Sequence, residues 1–163
     1  MDIGNFLAET LKNCKRWVVL GAGSELKADD AVGMLVANEL KKTLSSYENI
    51  LIVPGSTAPE NFTGLIKAFA PDHIILVDAA YLEEDVGTIG IIDPDCIKGI
   101  SFSTHMLPFN VMVKYLEHEV GCSISIIGIQ PFSTELAEPM CAEVEAAGFE
   151  LIEAIKQYAK THC

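Results

Sequence analysis

The stretch that decides the fold reads WVVLGAGSELKADDAVGMLV at residues 17–36. Trp17–Leu20 is a continuous apolar run, which is typical of a parallel strand buried on both faces. A glycine turn follows, then two adjacent acids, Asp29 and Asp30, and then an apolar helix. In α/β proteins, a turn from a strand into a helix is where ligands usually bind. Because this turn carries carboxylates, it favours a metal cation or proton chemistry over a bound phosphate.

The same alternation of strand and helix continues along the chain. Further buried strands are predicted by apolar runs at residues 50–53, 73–78 and 123–129. Helical spacing predicts helices at residues 2–15, 30–43, 108–120 and 138–160, and one that opens at Ala58. That last helix should bury one face made of Phe62, Leu65, Ile66 and Phe69.

Two further features of the sequence complete the predicted topology. Pro54 and Gly55 should end the second strand. Residues 88–93 follow the third strand after a polar turn and without a helix, which predicts an antiparallel strand at an edge. The chain is therefore predicted to be one α/β domain over residues 1–163. Its expected form is a three-layer α/β/α arrangement, with a mostly parallel twisted sheet of about five strands between helices.

Composition excludes several classes of protein. Half of the 163 residues are hydrophobic, and the net charge of −12 argues against nucleic acid and against an anionic membrane as partners. The five cysteines are scattered and never spaced as Cys-x-x-Cys, so neither a disulfide framework nor a zinc ribbon is predicted. The sequence has no signal-peptide pattern and no apolar run near the ~20 residues of a membrane span. We expect a cytoplasmic monomer.

Three residues are candidates for catalysis or metal binding, and each also has a purely structural interpretation. Asp30 lies at a helix start, where either it or Asp29 could simply cap the helix. Asp78 ends a buried strand, at the edge where α/β sheets form their ligand crevice, although an Asp there often begins a turn. His105 lies in an apolar loop before a helix, where a lone histidine is more often structural than a ligand.

Together these three residues all follow strands, so the fold could bring them to one edge of the sheet. Two carboxylates and an imidazole can hold a divalent ion with open positions. The other histidines, at positions 73, 118 and 162, are predicted to be solvated. The sequence lacks Gly-x-Ser-x-Gly, His-Glu-x-x-His and a phosphate-binding Gly-Lys-Ser/Thr loop. Gly21-Ala22-Gly23 begins a dinucleotide fingerprint, but Leu26 stands where its last glycine belongs.

These motifs resemble those of the nickel-iron hydrogenase maturation endopeptidases, in particular the branch that serves hydrogenase 3. The resemblance runs from about Val18 to Pro131, with its motifs in the family's order. It rests on Gly21–Gly33, Val77-Asp78-Ala79, Thr104-His105 with Pro108, Ala58-Pro59-Glu60-Asn61 and Gly128-Ile129-Gln130-Pro131.

The resemblance implies a reaction and a partner. Members of the family remove a C-terminal extension from the hydrogenase large-subunit precursor after nickel has been inserted. Nickel is carried by the substrate, and the positions thought to read it match Asp30, Asp78 and His105. Either the ion or a carboxylate would activate the attacking water.

This chain departs from the family pattern at several positions. Ser24 stands in place of the usual Asn, Ala31 in place of a common Gly, and Pro54-Gly55-Ser56 in place of a flexible Asp-Gly-Gly loop. Apolar residues near Leu26, Met106 and Phe132 could receive a substrate tail, although core packing is the expected role for most of them.

Two other functions are weighed beside the protease. A non-catalytic checkpoint would bind nickel or the precursor without cutting it. A nucleotide-binding domain would use the glycines that follow the first strand.

Overall fold

The apolar runs of the sequence form the strands of a single sheet in the computed structural model, which describes residues 2–92 and 109–163. The strands are β1 (Trp17–Ala22), β2 (Ile50–Ser56), β3 (His73–Ala79), β4 (Ile89–Ile92) and β5 (Ser123–Ile129). Their order is β2-β1-β3-β5-β4. The first, second, third and fifth strands run parallel, and β4 runs antiparallel to β5. The predicted five-stranded, mostly parallel sheet is confirmed.

Helices cover both faces of this sheet. They are α1 (Ile3–Thr10), α2 (Val32–Leu44), α3 (Thr63–Phe69), α4 (Phe109–Val120) and α5 (Ala142–His162). Alternate residues of β1 enter different cores, with Val19 facing α1, α2 and α5 and Leu20 facing α3 and α4. Each fully buried leucine or isoleucine contributes roughly 2 kcal/mol, so both cores hold the layers together. The predicted three-layer arrangement is confirmed.

Some predicted boundaries were wrong. The first helix ends at Thr10 rather than at residue 15, and the last begins at Ala142 rather than at 138. Residues 131–141 instead form a loop. Leu65 is half exposed while its neighbour Ile66 is buried, so the predicted apolar face of α3 is narrower than its spacing suggested.

Two strand predictions were also wrong in their details. Strand β2 continues through Pro54 and Gly55 to Ser56. An edge strand accepts a proline because one of its sides has no neighbour that needs an N–H donor. Strand β4 is an antiparallel edge strand as predicted, but its partner is β5 rather than the preceding β3, because β5 pairs with β3.

None of the helices within residues 2–92 and 109–163 has the length and apolar character needed to cross a bilayer.

Candidate active site

Three loops meet at the carboxyl edge of the sheet. The β1 loop (residues 23–31), the β3 loop (residues 80–88) and the β5 loop (residues 130–141) each leave one of three adjacent parallel strands. Parallel neighbours end at the same edge, so the loops lie side by side where α/β sheets form their ligand crevice.

Asp30 and Asp78, the acidic pair, both lie at this edge of the sheet near Gly23. Asp30 is 1% exposed, and its Oδ2 accepts a 2.9 Å hydrogen bond from the Ser24 N–H. Asp78, 2% exposed, lies at the end of β3. Gly23 has a φ of +134°, and a Cβ there would collide with the Asp30 carbonyl oxygen and lie 3.8 Å from Asp78 Oδ1. Only a glycine fits here, because it tolerates the positive φ and leaves room for the Asp30 carbonyl oxygen.

The third predicted residue, His105, lies outside the described residues. Over the ranges 2–92 and 109–163, no three His, Cys, Asp or Glu side chains form a cluster able to hold a metal ion. The structure therefore places two of the three predicted residues at one edge of the sheet, and their role as ligands stays a prediction.

Asp29 does something that the sequence did not indicate. The alternative that it caps α2 does not hold, because its carboxylate binds the β5 loop and the N-cap of α2 is Ala31. Oδ2 accepts from the N–H groups of Phe132 and Ser133 at 2.8 and 3.1 Å, and Oδ1 accepts from the Cys141 N–H at 2.7 Å. Asp29 is 1% exposed, so these bonds lie largely out of water. It joins the β1 and β5 loops.

The Cys141 thiol adds to this connection. Its Sγ donates to Asp29 Oδ2 over 3.4 Å. Partial burial, and then the neighbouring Asp29 carboxylate, raise the pKa of the Cys141 thiol. The thiol therefore keeps its proton and acts as a donor at neutral pH.

Main-chain hydrogen bonds also join the β1 and β5 loops. Together with the bonds of Asp29, we call them the seam between these loops. The Ala137 N–H donates to the Leu26 carbonyl at 2.8 Å, and the Ala28 N–H donates to the Glu138 carbonyl at 3.2 Å. Both alanines have positive φ, 37° for Ala28 and 64° for Ala137. Such backbone is strained for a residue with a Cβ and persists where the surroundings fix it. The hydrogen bonds between the two loops therefore hold both alanines in this conformation.

Gln130 holds the β3 loop against the end of β5 through hydrogen bonds. Its Oε1 accepts from the Leu82 N–H at 2.6 Å, and its backbone carbonyl accepts from the Gly87 N–H at 2.9 Å. Gln130 is 8% exposed, so one buried amide holds the β3 loop against the end of β5. All three loops around the acidic pair are thus fixed by hydrogen bonds.

The loop that the resemblance implied at Pro54–Ser56 is part of β2. The Ser56 carbonyl accepts a hydrogen bond from the Gly23 N–H at 3.0 Å, which joins the end of β2 to the β1 loop. The loop expected at these residues is corrected to an ordered strand end beside the site.

The other histidines lie away from this edge. His73 was predicted to be solvated, but it is 5% exposed, and its Nε2 lies 3.0 Å from the Ser125 hydroxyl. Burial lowers the pKa of His73 to about 4. It opens β3 at the opposite end of the sheet from Asp78, while His118 and His162 are exposed as predicted.

The β1 loop, which carries Asp29 and Asp30, is poorly suited to binding a phosphate. The Ser24 N–H, one of the amides such a turn would offer to an anion, already donates to Asp30. The adjacent Asp30 and Asp78 carboxylates would also repel a pyrophosphate. This geometry disfavours the nucleotide-binding alternative.

Comparison with known proteins identifies the family. The sequence profile of HycI, described as hydrogenase maturation protease, matches residues 34–158. The chain belongs to this family. The hydrogenase 3 maturation protease of Escherichia coli K12 is 31% identical over 131 residues, which cover 80% of this chain and 82% of that protein. A Methanocaldococcus jannaschii protein, named provisionally as a hydrogenase maturation protease, is 39% identical over 155 residues and 91% of each chain.

A solved member of the family has the same fold. The crystal structure of the NiFe hydrogenase maturation protease HycI from Thermococcus kodakarensis KOD1 matches with a TM-score of 0.88 and 34% identity, covering 95% of this chain and 99% of that one. The resemblance read from the motifs, including the hydrogenase 3 branch, is confirmed.

Several functional residues escaped the sequence analysis. The role of Asp29 depends on loop residues more than 100 positions away, which no local pattern reveals. Gln130 belongs to a motif that carries the resemblance, but its hydrogen bond to the β3 loop is visible only in the structure. Of the positions around which a surface for the substrate tail was considered, Leu26 and Phe132 are 71% and 76% exposed, and Met106 lies outside the described residues.

Proposed function

We propose that this protein is the endopeptidase that removes the C-terminal extension from the large-subunit precursor of a nickel-iron hydrogenase after nickel insertion. Membership of the hydrogenase maturation proteases supports this reaction. The observation that carries the proposal for the site is that Asp30 and Asp78 are both buried at the carboxyl edge of the sheet and both lie near Gly23.

In this proposal the nickel ion arrives with the substrate. Asp30, Asp78 and His105 would complete the coordination of the nickel ion in the precursor, since carboxylates and imidazole both suit such an ion. Burial strengthens this attraction, because a low-dielectric environment screens charges less than water does. The Ser24 N–H fixes the Asp30 carboxylate, so less ordering is needed when the substrate binds.

The proposed chemistry is hydrolysis of one peptide bond. The substrate's nickel would polarise the scissile carbonyl or activate the attacking water, and one carboxylate would accept the proton of that water. Nickel thus serves as a checkpoint, because an empty precursor cannot present the ion that the acidic pair recognises.

The deciding experiment is intact mass spectrometry of the large-subunit precursor after incubation with this protein. A nickel-loaded precursor should lose its C-terminal peptide, and a nickel-free precursor should keep it. Cleavage without nickel would contradict the checkpoint. Co-elution of the two proteins without any mass loss would favour the non-catalytic alternative.

Matched variants test the acidic pair. Asp30→Asn and Asp78→Asn should each lower the cleavage rate at least about 100-fold, since removal of a group that stabilises the transition state commonly costs that much. The control is Asp72→Asn, because Asp72 is exposed and lies at the opposite end of β3. Wild-type cleavage by both pair variants would refute their proposed role.

We also propose that the protein acts as a cytoplasmic monomer with no nucleic-acid or membrane partner. The thiols of Cys14, Cys122, Cys141 and Cys163 are unbridged, as in proteins of reducing compartments, and the net charge of −12 disfavours anionic partners. Light scattering that gives a mass of 17.6 kDa would support the monomer.

A further inference from the structure

Three large apolar side chains on the β1 and β5 loops are exposed to solvent. Leu26 is 71% exposed, Phe132 76% and Leu136 65%. Single exposed apolar residues are ordinary on protein surfaces, but a group of large ones on one surface commonly marks an interaction site. We call these three residues the apolar patch.

The patch rests on rigid backbone. Leu26 accepts a hydrogen bond from the Ala137 N–H, directly after Leu136, and the Phe132 N–H donates to the buried Asp29. These bonds belong to the seam between the β1 and β5 loops, so the three side chains are held on one joined surface. A preorganised surface binds a partner at a lower entropic cost than a mobile one.

The surroundings of the patch are acidic. The three loops at this edge contain one basic residue, Lys27, which is partly buried. Their exposed acidic residues are Glu25, Glu83, Glu84, Asp85, Glu135 and Glu138. An apolar centre with a negative rim is complementary to a segment that carries apolar side chains among lysines or arginines.

The patch is also linked to the proposed catalytic centre through Asp29. Asp29 bonds the β5 loop, which carries Phe132, and the next residue is Asp30. A chain whose scissile bond lies near Asp30 and Asp78 would thus have its adjoining residues close to the patch.

We propose that the apolar patch docks the C-terminal extension of the hydrogenase large-subunit precursor, through a stretch that combines apolar side chains with lysine or arginine. This inference rests on the proposed function and adds how the substrate is recognised. The apolar side chains of the extension pack on Leu26, Phe132 and Leu136, and its basic side chains face the acidic rim.

The test uses the nickel-loaded precursor and the double variant Phe132→Ser/Leu136→Ser. We expect KM to rise at least 10-fold while kcat changes less than twofold, because the patch contacts substrate away from the reacting bond. The control is Phe149→Ser, a 44% exposed phenylalanine on α5. Thermal unfolding should show that both proteins remain folded. An unchanged KM in the double variant would overturn the proposal.

A direct binding assay separates this proposal from the proposed function. Fluorescence anisotropy of the labelled precursor should show at least 10-fold weaker binding to the double variant, even if the wild type binds without cutting. Binding by wild type should weaken as salt rises, and Glu135→Gln should reduce that dependence. Salt-independent binding, or equal affinity of the double variant, would refute the docking site.

Two further outcomes also count against the docking site. Analytical ultracentrifugation could reveal a dimer that the double variant abolishes, in which case the patch is covered by a second copy of this chain. If the wild type neither binds nor cleaves the precursor, the docking proposal and the proposed function both fail. Cleavage with an unchanged KM in the double variant overturns the docking proposal alone.

Discussion

Replacing Asp29 by alanine should destabilise the protein far more than its place in a surface loop suggests. The carboxylate accepts three backbone N–H bonds of 2.7 to 3.1 Å and is 1% exposed. Bonds to a charged group contribute about 1.5–3 kcal/mol each, and water can rescue part of that loss here. We therefore expect a loss of about 3–4 kcal/mol in the free energy of unfolding, or roughly 6–16 °C in Tm for a domain of this size.

Asp72 provides a matched control for this prediction. Its carboxylate also accepts backbone N–H bonds, from Lys15 at 2.7 Å and Arg16 at 2.9 Å, but it is exposed. The bonds from Arg16 and then Lys15 lower the pKa of Asp72. Water can replace both bonds, so Asp72→Ala should cost no more than about 1 kcal/mol.

Urea denaturation and thermal unfolding of the two variants would measure the difference. Asp29→Ala should also weaken precursor binding, because the β5 loop that carries the apolar patch loses its anchor. Equal stability losses in Asp29→Ala and Asp72→Ala would refute the argument, since burial would then not matter. A Tm change below about 3 °C in Asp29→Ala would refute it as well.

Three further predictions concern other parts of the fold. Burial lowers the pKa of His73 to about 4 from 6.5, so the unfolded chain binds a proton first, and the free energy of unfolding should fall by up to about 3 kcal/mol between pH 6.5 and 4. Denaturation curves across that range should show this slope, and His73→Gln should reduce it. Gly33→Ala should destabilise by roughly 2 kcal/mol or more, because a Cβ would collide with the carbonyl oxygens of Ala22 and Val77; an unchanged urea midpoint would contradict this packing. Ala137→Gly should leave stability unchanged or raise it by up to about 1 kcal/mol, since its φ of 64° suits glycine, and a measurable loss would argue against the strain.

The sequence predicted the sheet well because its central strands carry their own signal. A parallel strand covered on both faces must be apolar throughout, and β1 and β3 are buried at every residue. The carboxyl edge followed from the same reasoning, so the sequence also predicted that Asp30 and Asp78 lie at one edge of the sheet. His105 lies outside the described residues and stays a prediction.

The rest depended on contacts between distant segments. The course of β2 through Pro54 follows from its edge position, which local turn chemistry does not reveal. Asp29 resembles a helix cap in any local window, and its partners become visible only when the β5 loop folds over it. Leu26 and Phe132 look like core residues by composition, and only the paths of the two loops show that they face water.

Pro54 makes the outer edge of β2 a poor template for the addition of another strand. An open strand edge can capture an extended peptide through main-chain hydrogen bonds. Pro54 offers no N–H there, and β4 at the other end of the sheet offers four residues. An enzyme that handles an extended peptide tail would lose turnover if it kept each released tail as an extra strand. Edges of this kind favour departure of the product and disfavour stacking of the enzyme into sheets that run from one molecule to the next.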